Sequence, residues 1–465
     1  MLFSSMIFLW LFLPITFLGS KIVGKKYVNF LLLIASLIFY AWGEPIYVLL
    51  MLCSILINWL SGLLIVKNLK YRSLILFFNV IINLFLLGYF KYAGMFVRTW
   101  NSIIKIVRIP EPEIALPIGI SFFTFQALSY VVDVYRGEVK AQKNILNLAL
   151  YISFFPQLIA GPIVKYREIE KQIDNREINM SKTAEGVRRF IYGLSKKVLV
   201  SNILAKSAGL IFAMPLEEVT GVMAWIASVL YLFQIYYDFS GYSDMAIGLG
   251  KMFGFEFSEN FNYPYMSLSI REFWRRWHIS LSTWFREYVY IPLGGNKKGQ
   301  KRTYINLMIV FFLTGLWHGA SYNFIFWGLF HGFFSILERL GLEKFLKKNK
   351  VIAFVYTFLV VNVGWIFFRV ENIGMAFRYI GRMVFPWRYI DSSISIWEVV
   401  DAHTFFILIC ADIGMGGLQY LARKKNKLET WRFSIFEVIY CLGIFVFSIA
   451  ALASNTYNPF IYFRF

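Results

Sequence analysis

Charge is what this sequence has least of. Only 16% of its 465 residues are charged, against 58% hydrophobic and 20% aromatic, a balance that a soluble domain of this length does not keep. The chain is therefore expected to live in lipid. Cysteine is nearly absent: Cys53, Cys410 and Cys441 each lie in an apolar run, and there is no CxxC and no Cys/His cluster. That excludes a disulfide framework and a structural zinc site and leaves the three thiols as expected core packing. GxSxG, a P-loop and GxGxxG are also missing, so serine-hydrolase, nucleotidase and dinucleotide-binding readings have no footing. Acidic residues are scarce, 27 against 47 Lys and Arg, giving a net charge of +20. The basic residues fall in short loops between apolar runs and not on one amphipathic face, a pattern of membrane topology and not of nucleic-acid binding. Basic loops on the inner side also attract an anionic donor.

What the sequence does contain is a succession of apolar runs, near 6–19, 28–42, 45–66, 72–90, 115–134, 187–213, 221–249, 304–318, 322–341, 351–368, 402–421 and 431–454. At about 20 residues per crossing these predict an all-α polytopic membrane protein with about 11–13 transmembrane helices. Residues 1–20 read as a retained first span and not a signal peptide, because Lys21, Lys25 and Lys26 follow the apolar stretch and no basic region precedes it. Basic clusters at 21–26, 67–72, 136–143, 297–302, 344–350 and 423–427 are expected in the cytoplasm, which puts the N-terminus outside. Two segments break the alternation. YISFFPQLIAGPIVKY carries Pro156, Gly161 and Pro162, and residues 263–290 carry Arg271, Arg275, Arg276, Arg286 and His278 among aromatics. Both are expected to be re-entrant, entering and returning on the cytoplasmic side. Parity then leaves the C-terminus and the tail 455–465 outside. The mixed basic and apolar segment 91–113 suits a helix lying in the interface. No repeat or soluble linker appears, so residues 1–465 read as a single domain.

Ionisable groups at membrane depth are expensive, which singles out two of the four histidines: His278 in RRWHISLSTWFREY and His318 in LTGLWHGASYNF. The run 304–318 is short, about 22 Å as a helix against a core of about 30 Å, so His318 is expected to stop inside the membrane. A neutral imidazole there suits proton abstraction from a hydroxyl. His278 arrives on a re-entrant element, so the two are expected to meet midway from opposite sides. Their 40-residue spacing and the lack of HExxH argue against a metal. His331, 13 residues past His318 and about 20 Å away on a continuous helix, is expected to serve packing or a polar bridge, and His403 to be incidental. Gln126, Asp133, Gln157, Asp238 and Asp244 are further polar residues in apolar surroundings, and Asp238 and Asp244 are expected either to pair with Arg271, Arg275 or Arg276 or to take part in the chemistry.

Taken together, MLFSSMIFLWLFLPI, IASLIFYAWGEP, LPIGISFFTFQALSYVVDVYRG, FFPQLIAGPIV, YYDFSGYSDMAIGLGKMFGFEFSENFNYPY, REFWRRWHISLSTWFREYVYIPLGGNKKG and GLWHGASYNFIFWGLFHG resemble the bacterial branch of the membrane-bound O-acyltransferase (MBOAT) family. The opening and IPLGGNKKG look more like its alginate O-acetylase subgroup than its teichoic-acid D-alanylation subgroup. The resemblance implies helices enclosing a central funnel, His318 as the catalytic histidine and His278 as the second family residue. On charge grounds His318 is expected to act as general base, with His278 orienting the thioester or stabilising its oxyanion. It also implies no tightly bound cofactor, an acyl-CoA or acyl-carrier-protein thioester as donor, and residence in the cytoplasmic membrane of a bacterium. An extracytoplasmic polysaccharide as acceptor and a separate extracytoplasmic acyltransferase as partner belong to the same picture. The last residues, FIYFRF, read either as an aromatic belt at the interface or, because they look like the C-terminal motif of the small partner peptide of D-alanylation systems, as a tail whose Tyr462 is a tethered acyl acceptor. Outside this class, a transporter or export channel suits the span count but predicts inverted repeats, and none is present in the sequence.

Overall fold

The computed structural model describes residues 1–414 and 435–454 of the chain. Among them every regular element is helical. Among the described residues, six helices are long and apolar enough to cross a bilayer: Gly24–Ala41, Tyr47–Lys67, Arg72–Ile103, Gly221–Met252, Lys350–Arg369 and Ile435–Ser454. Their outward faces carry large exposed apolar side chains, among them Phe77, Phe78 and Phe85 on one helix and Phe436 and Phe447 on another. Such surfaces are stable against lipid tails and not against water, so the chain is a multi-pass membrane protein. Other expected spans are shorter or broken, such as Ile120–Arg136 and Tyr322–Leu337.

The described chain falls into two compact units, Met1–Phe190 with Tyr242–Ser258, and Ile191–Gly241 with the residues from Glu259 onward. In the first, the helices Tyr47–Lys67 and Arg72–Ile103 are held by a carboxamide network. Asn58 and Asn83 exchange hydrogen bonds of 3.2 and 3.1 Å, and Asn79 donates to Asn58 at 3.1 Å and to Ser61 at 3.0 Å. The second of these helices runs on to Ile103, so the first part of the segment expected to lie in the interface is instead a continuation of the span. Met95, Phe96, Val97, Trp100 and Ile103 keep apolar residues at helical spacing to its end. The proline-bearing segment breaks as expected: Ile145–Ser153 ends, Phe155–Leu158 forms one turn, and residues 159–165 are not helical. A Cβ at Gly161 would stand 2.5 Å from the Cα of Gln157, so this close return of the backbone needs glycine.

In the second unit residues 264–290 are a string of short helices, Pro264–Met266, Ile270–Arg276, Ile279–Phe285 and Arg286–Tyr290, too interrupted to span. Next comes the hairpin Gln300–His318 and Tyr322–Leu337. Its two helices touch backbone to backbone, because a Cβ at Gly315 would lie 2.2 Å from the carbonyl oxygen of Phe324, and one at Gly328 2.2 Å from that of Phe311. Small residues permit this approach where lipid supplies no hydrophobic drive between helices. Cys53 and Cys410 are exposed and Cys441 is buried, so only one of the three thiols serves core packing as expected. Tyr462 and the basic cluster 423–427 lie outside the described residues.

Candidate active site

His318 is the last residue of its helix and is 2% exposed. The chain turns at once: Gly319 is extended, and Ser321 caps the next helix by accepting from the Asn323 N–H. Asn323 in turn donates to the Val370 carbonyl. Three aromatic rings meet the imidazole edge-on, Trp317 at 5.0 Å, Trp327 at 4.9 Å and Phe368 at 5.2 Å between centroids. The early helix end leaves the imidazole in a dry aromatic enclosure, where proton transfer is not levelled by water.

His278 stands between Ile270–Arg276 and Ile279–Phe285 with φ 43° and ψ 57°, one of two non-glycine residues with positive φ among the described residues. That left-handed backbone costs about 1–2 kcal/mol, and strain of this size persists only where the surroundings enforce it. Here they do. Asn260 accepts through its main-chain oxygen from Ile279 N–H at 2.9 Å, and through Oδ1 from Ser280 N–H at 3.2 Å and Ser280 Oγ–H at 2.9 Å. The same Oδ1 lies 3.1 Å from His278 Nδ1. Phe239 closes on the ring at 4.6 Å and 88°.

The preceding helix is anchored at its start by Glu338, whose carboxylate accepts from the N–H groups of Ile270 at 2.6 Å and Arg271 at 3.2 Å. Ser269 accepts from Glu272 N–H at 3.0 Å, completing the cap. Behind it Trp277, fully buried, packs on Trp365 at 4.9 Å and stacks on Phe273 at 5.6 Å. Trp365 stacks on Trp327 at 5.9 Å, and its Nε1 donates to Tyr265 Oη at 3.2 Å.

The structure brings His278 and His318 to one ring: Trp317 lies 6.0 Å from His278 and 5.0 Å from His318. It also draws in His331, which sequence spacing put at a distance. The reversal of the hairpin sets Trp327 against His318 at 4.9 Å, and His331, four residues after Trp327 on the same helix, meets that ring at 5.3 Å. Gly364 makes room for it, since a Cβ there would stand 2.6 Å from His331 Nε2. The two aspartates have other partners than expected. Asp238 pairs with Lys197 at 2.5 Å, both buried, and Asp244 with Arg189 at 2.8 Å, while Arg271 binds Glu343 and Arg276 binds Glu272. Gln126, Asp133 and Gln157 are fully buried in the first unit. Asn260 and Glu338 were not singled out by sequence, although Asn260 lies inside the run FSENFNYPY that carries the family likeness.

The model of the membrane-bound O-acyltransferase family matches residues 138–373, which contain His278, His318 and His331 but not Tyr462. Over 379 residues the chain is 46% identical to the probable alginate O-acetylase AlgI of Pseudomonas putida, covering 79% of this chain and 77% of that protein. It is 38% identical over 407 residues to the peptidoglycan O-acetyltransferase of Helicobacter pylori, with 79% and 77% covered. The teichoic acid D-alanyltransferase of Bacillus subtilis is 30% identical over 273 residues, with 54% and 68% covered.

Proposed function

We propose that this chain, which belongs to the membrane-bound O-acyltransferase family and is a membrane O-acyltransferase, moves an acetyl group from a thioester to hydroxyls of a polysaccharide. The donor is acyl-CoA or an acyl-carrier protein reaching the site from the cytoplasm, and the polymer lies outside the cytoplasmic membrane of a bacterium. A separate extracytoplasmic acyltransferase completes delivery. Relatives named for alginate and peptidoglycan, both polysaccharides, support acetyl and polymer alike. D-alanyl transfer is the weaker alternative, since its named relative is less identical and shares a shorter stretch.

The observation that carries the reading is His318, buried at a helix end with three aromatic edges around it. A neutral imidazole there takes the hydroxyl proton as the oxygen bonds to the thioester carbon. The C–S bond then breaks, and the proton passes to the departing thiolate. Positioned base assistance of this kind contributes about 10² to 10⁴ in rate. Purified protein given radiolabelled acetyl thioester and an oligosaccharide should form labelled ester without vectorial solute flux. His318→Ala should lower that turnover by about 10² or more while leaving insertion and melting unchanged. Turnover within about threefold of wild type would remove His318 from the mechanism.

A further inference from the structure

His278 has two expected roles of opposite polarity: accepting a hydrogen bond to orient the donor, or donating one to the thioester oxyanion. Asn260 decides between them. A backbone N–H only donates, so the Ser280 N–H at 3.2 Å fixes which end of the Asn260 carboxamide is oxygen. The Ser280 hydroxyl, 2.9 Å from the same atom, agrees with that orientation. Turning the amide over would set its NH2 group against the Ser280 N–H. Asn260 Nδ2 is buried with no hydrogen-bond partner among the described residues. A carbonyl oxygen only accepts, so the ring atom facing it at 3.1 Å, His278 Nδ1, carries a proton. The ring is 1% exposed, and charge is costly away from water, so it is held neutral. A neutral imidazole has one proton, which leaves Nε2 with a lone pair.

We propose that Asn260 is a positioning residue that locks the His278 proton on Nδ1, so that Nε2 accepts a hydrogen bond from the thioester donor and is the wrong polarity for its oxyanion. The donor class named above supplies the matching group. In both acyl-CoA and an acyl-carrier protein the sulfur ends a pantetheine arm, whose nearest polar group is an amide N–H two carbons away. This assignment rests on the thioester reading of the site, and His318 keeps the role of base.

The test has a spectroscopic arm and a kinetic arm. In protein labelled with ¹⁵N-histidine and held in nanodiscs, the signals lost in His278→Ala should be those of a neutral ring protonated on Nδ1. Asn260→Asp, which keeps an acceptor oxygen, should retain that pattern, and Asn260→Leu should lose it. A proton on Nε2 in the unaltered protein, or an unchanged pattern in Asn260→Leu, overturns the proposal whatever the activity. In the kinetic arm, wild type should favour an acetyl thioester bearing the amide N–H over its analogue with CH2 at that position by about tenfold in kcat/KM, the worth of one buried hydrogen bond. Asn260→Leu should erase that preference and Asn260→Asp restore it. Equal use of both thioesters by wild type would overturn the assignment of Nε2 to the amide. Activity surviving in His318→Ala would instead sink the base reading and leave the tautomer result standing.

Discussion

Two regions of this molecule bury polar side chains in opposite ways. Between the helices Tyr47–Lys67 and Arg72–Ile103, each carboxamide finds another: Asn58, Asn79, Asn83 and Ser61 bond among themselves at 3.0 to 3.2 Å. Around the aromatic rings of the histidine site, by contrast, both nitrogens of His331, the indole N–H of Trp274 and Trp327, and both amide atoms of Asn362 are buried with no hydrogen-bond partner among the described residues. An orphaned buried group costs about 1–3 kcal/mol, whereas a satisfied one contributes about 1 kcal/mol. The first region therefore behaves as glue between helices, whereas the second leaves polar atoms that no described residue bonds. Strain at His278 belongs to the same pattern. Functional sites are where such costs concentrate.

The largest effect on this contrast should come from Gly328→Ala. The added methyl would stand 2.2 Å from the Phe311 carbonyl oxygen and 3.1 Å from the Gly315 Cα, both backbone atoms that cannot swing aside. The hairpin must open, and Trp327, one residue away, must leave His318. Overpacking of this sort costs about 1–3 kcal/mol or more, and a shift of about 1 Å at a reacting group is enough to lose about 10² in rate. Both melting temperature and turnover should fall together. A stable, active Gly328→Ala protein would mean that the close hairpin does not set the site.

Asn58→Leu should separate what Gly328→Ala couples. It removes the hub of the carboxamide network and takes from the buried Asn83 oxygen its Asn58 donor, while Asn79 keeps its bond to Ser61. Interhelical hydrogen bonds in membranes average about 0.6 kcal/mol and reach about 1.7, so a loss of about 1–3 kcal/mol is expected from three of them. Denaturation in mild detergent should show that loss, while turnover per folded molecule stays within about threefold of wild type. A turnover loss exceeding the loss of folded protein would give the network a catalytic share.

How much of this was readable beforehand depends on the range of the interaction. Apolar runs marked the long helices, and Pro156, Gly161, Pro162 and the arginines of 263–290 marked where the chain fails to span, because those signals are local. The two histidines were legible for the same reason: polarity in an apolar run is visible without a fold. Pairings across helices were not. Asp238 and Asp244 have arginines nearby in sequence terms, yet Asp238 binds Lys197, and Asp244 binds Arg189, 55 residues away. Asn260 lies 18 residues before the ring it orients, and Glu338 lies 68 residues past the helix it caps. His331 is expected to serve packing or a polar bridge, and it packs against Trp327, the ring that the turn at Gly319 sets against His318.

The smallest predicted effect has the opposite sign and bears on the contrast most directly. His331 is fully buried and touches Trp274 at 5.1 Å, Trp327 at 5.3 Å and Phe330 at 5.5 Å, all edge-on. Leucine has nearly the same volume and no polar atom. His331→Leu gives up edge contacts worth about 0.5–1.5 kcal/mol each, but it also removes two orphaned nitrogens at about 1–3 kcal/mol. The terms nearly cancel, with a small gain on the side of the leucine. The melting temperature should rise slightly, where Asn58→Leu lowers it. Trp327 keeps its stack on Trp365 at 5.9 Å and 23°, so its ring should drift only a little against His318, and turnover should fall by less than about tenfold. A clear drop in melting temperature would show that His331 is bonded after all. The histidine region would then be held by satisfied polar groups like the carboxamide network, and the contrast between the two regions would fail.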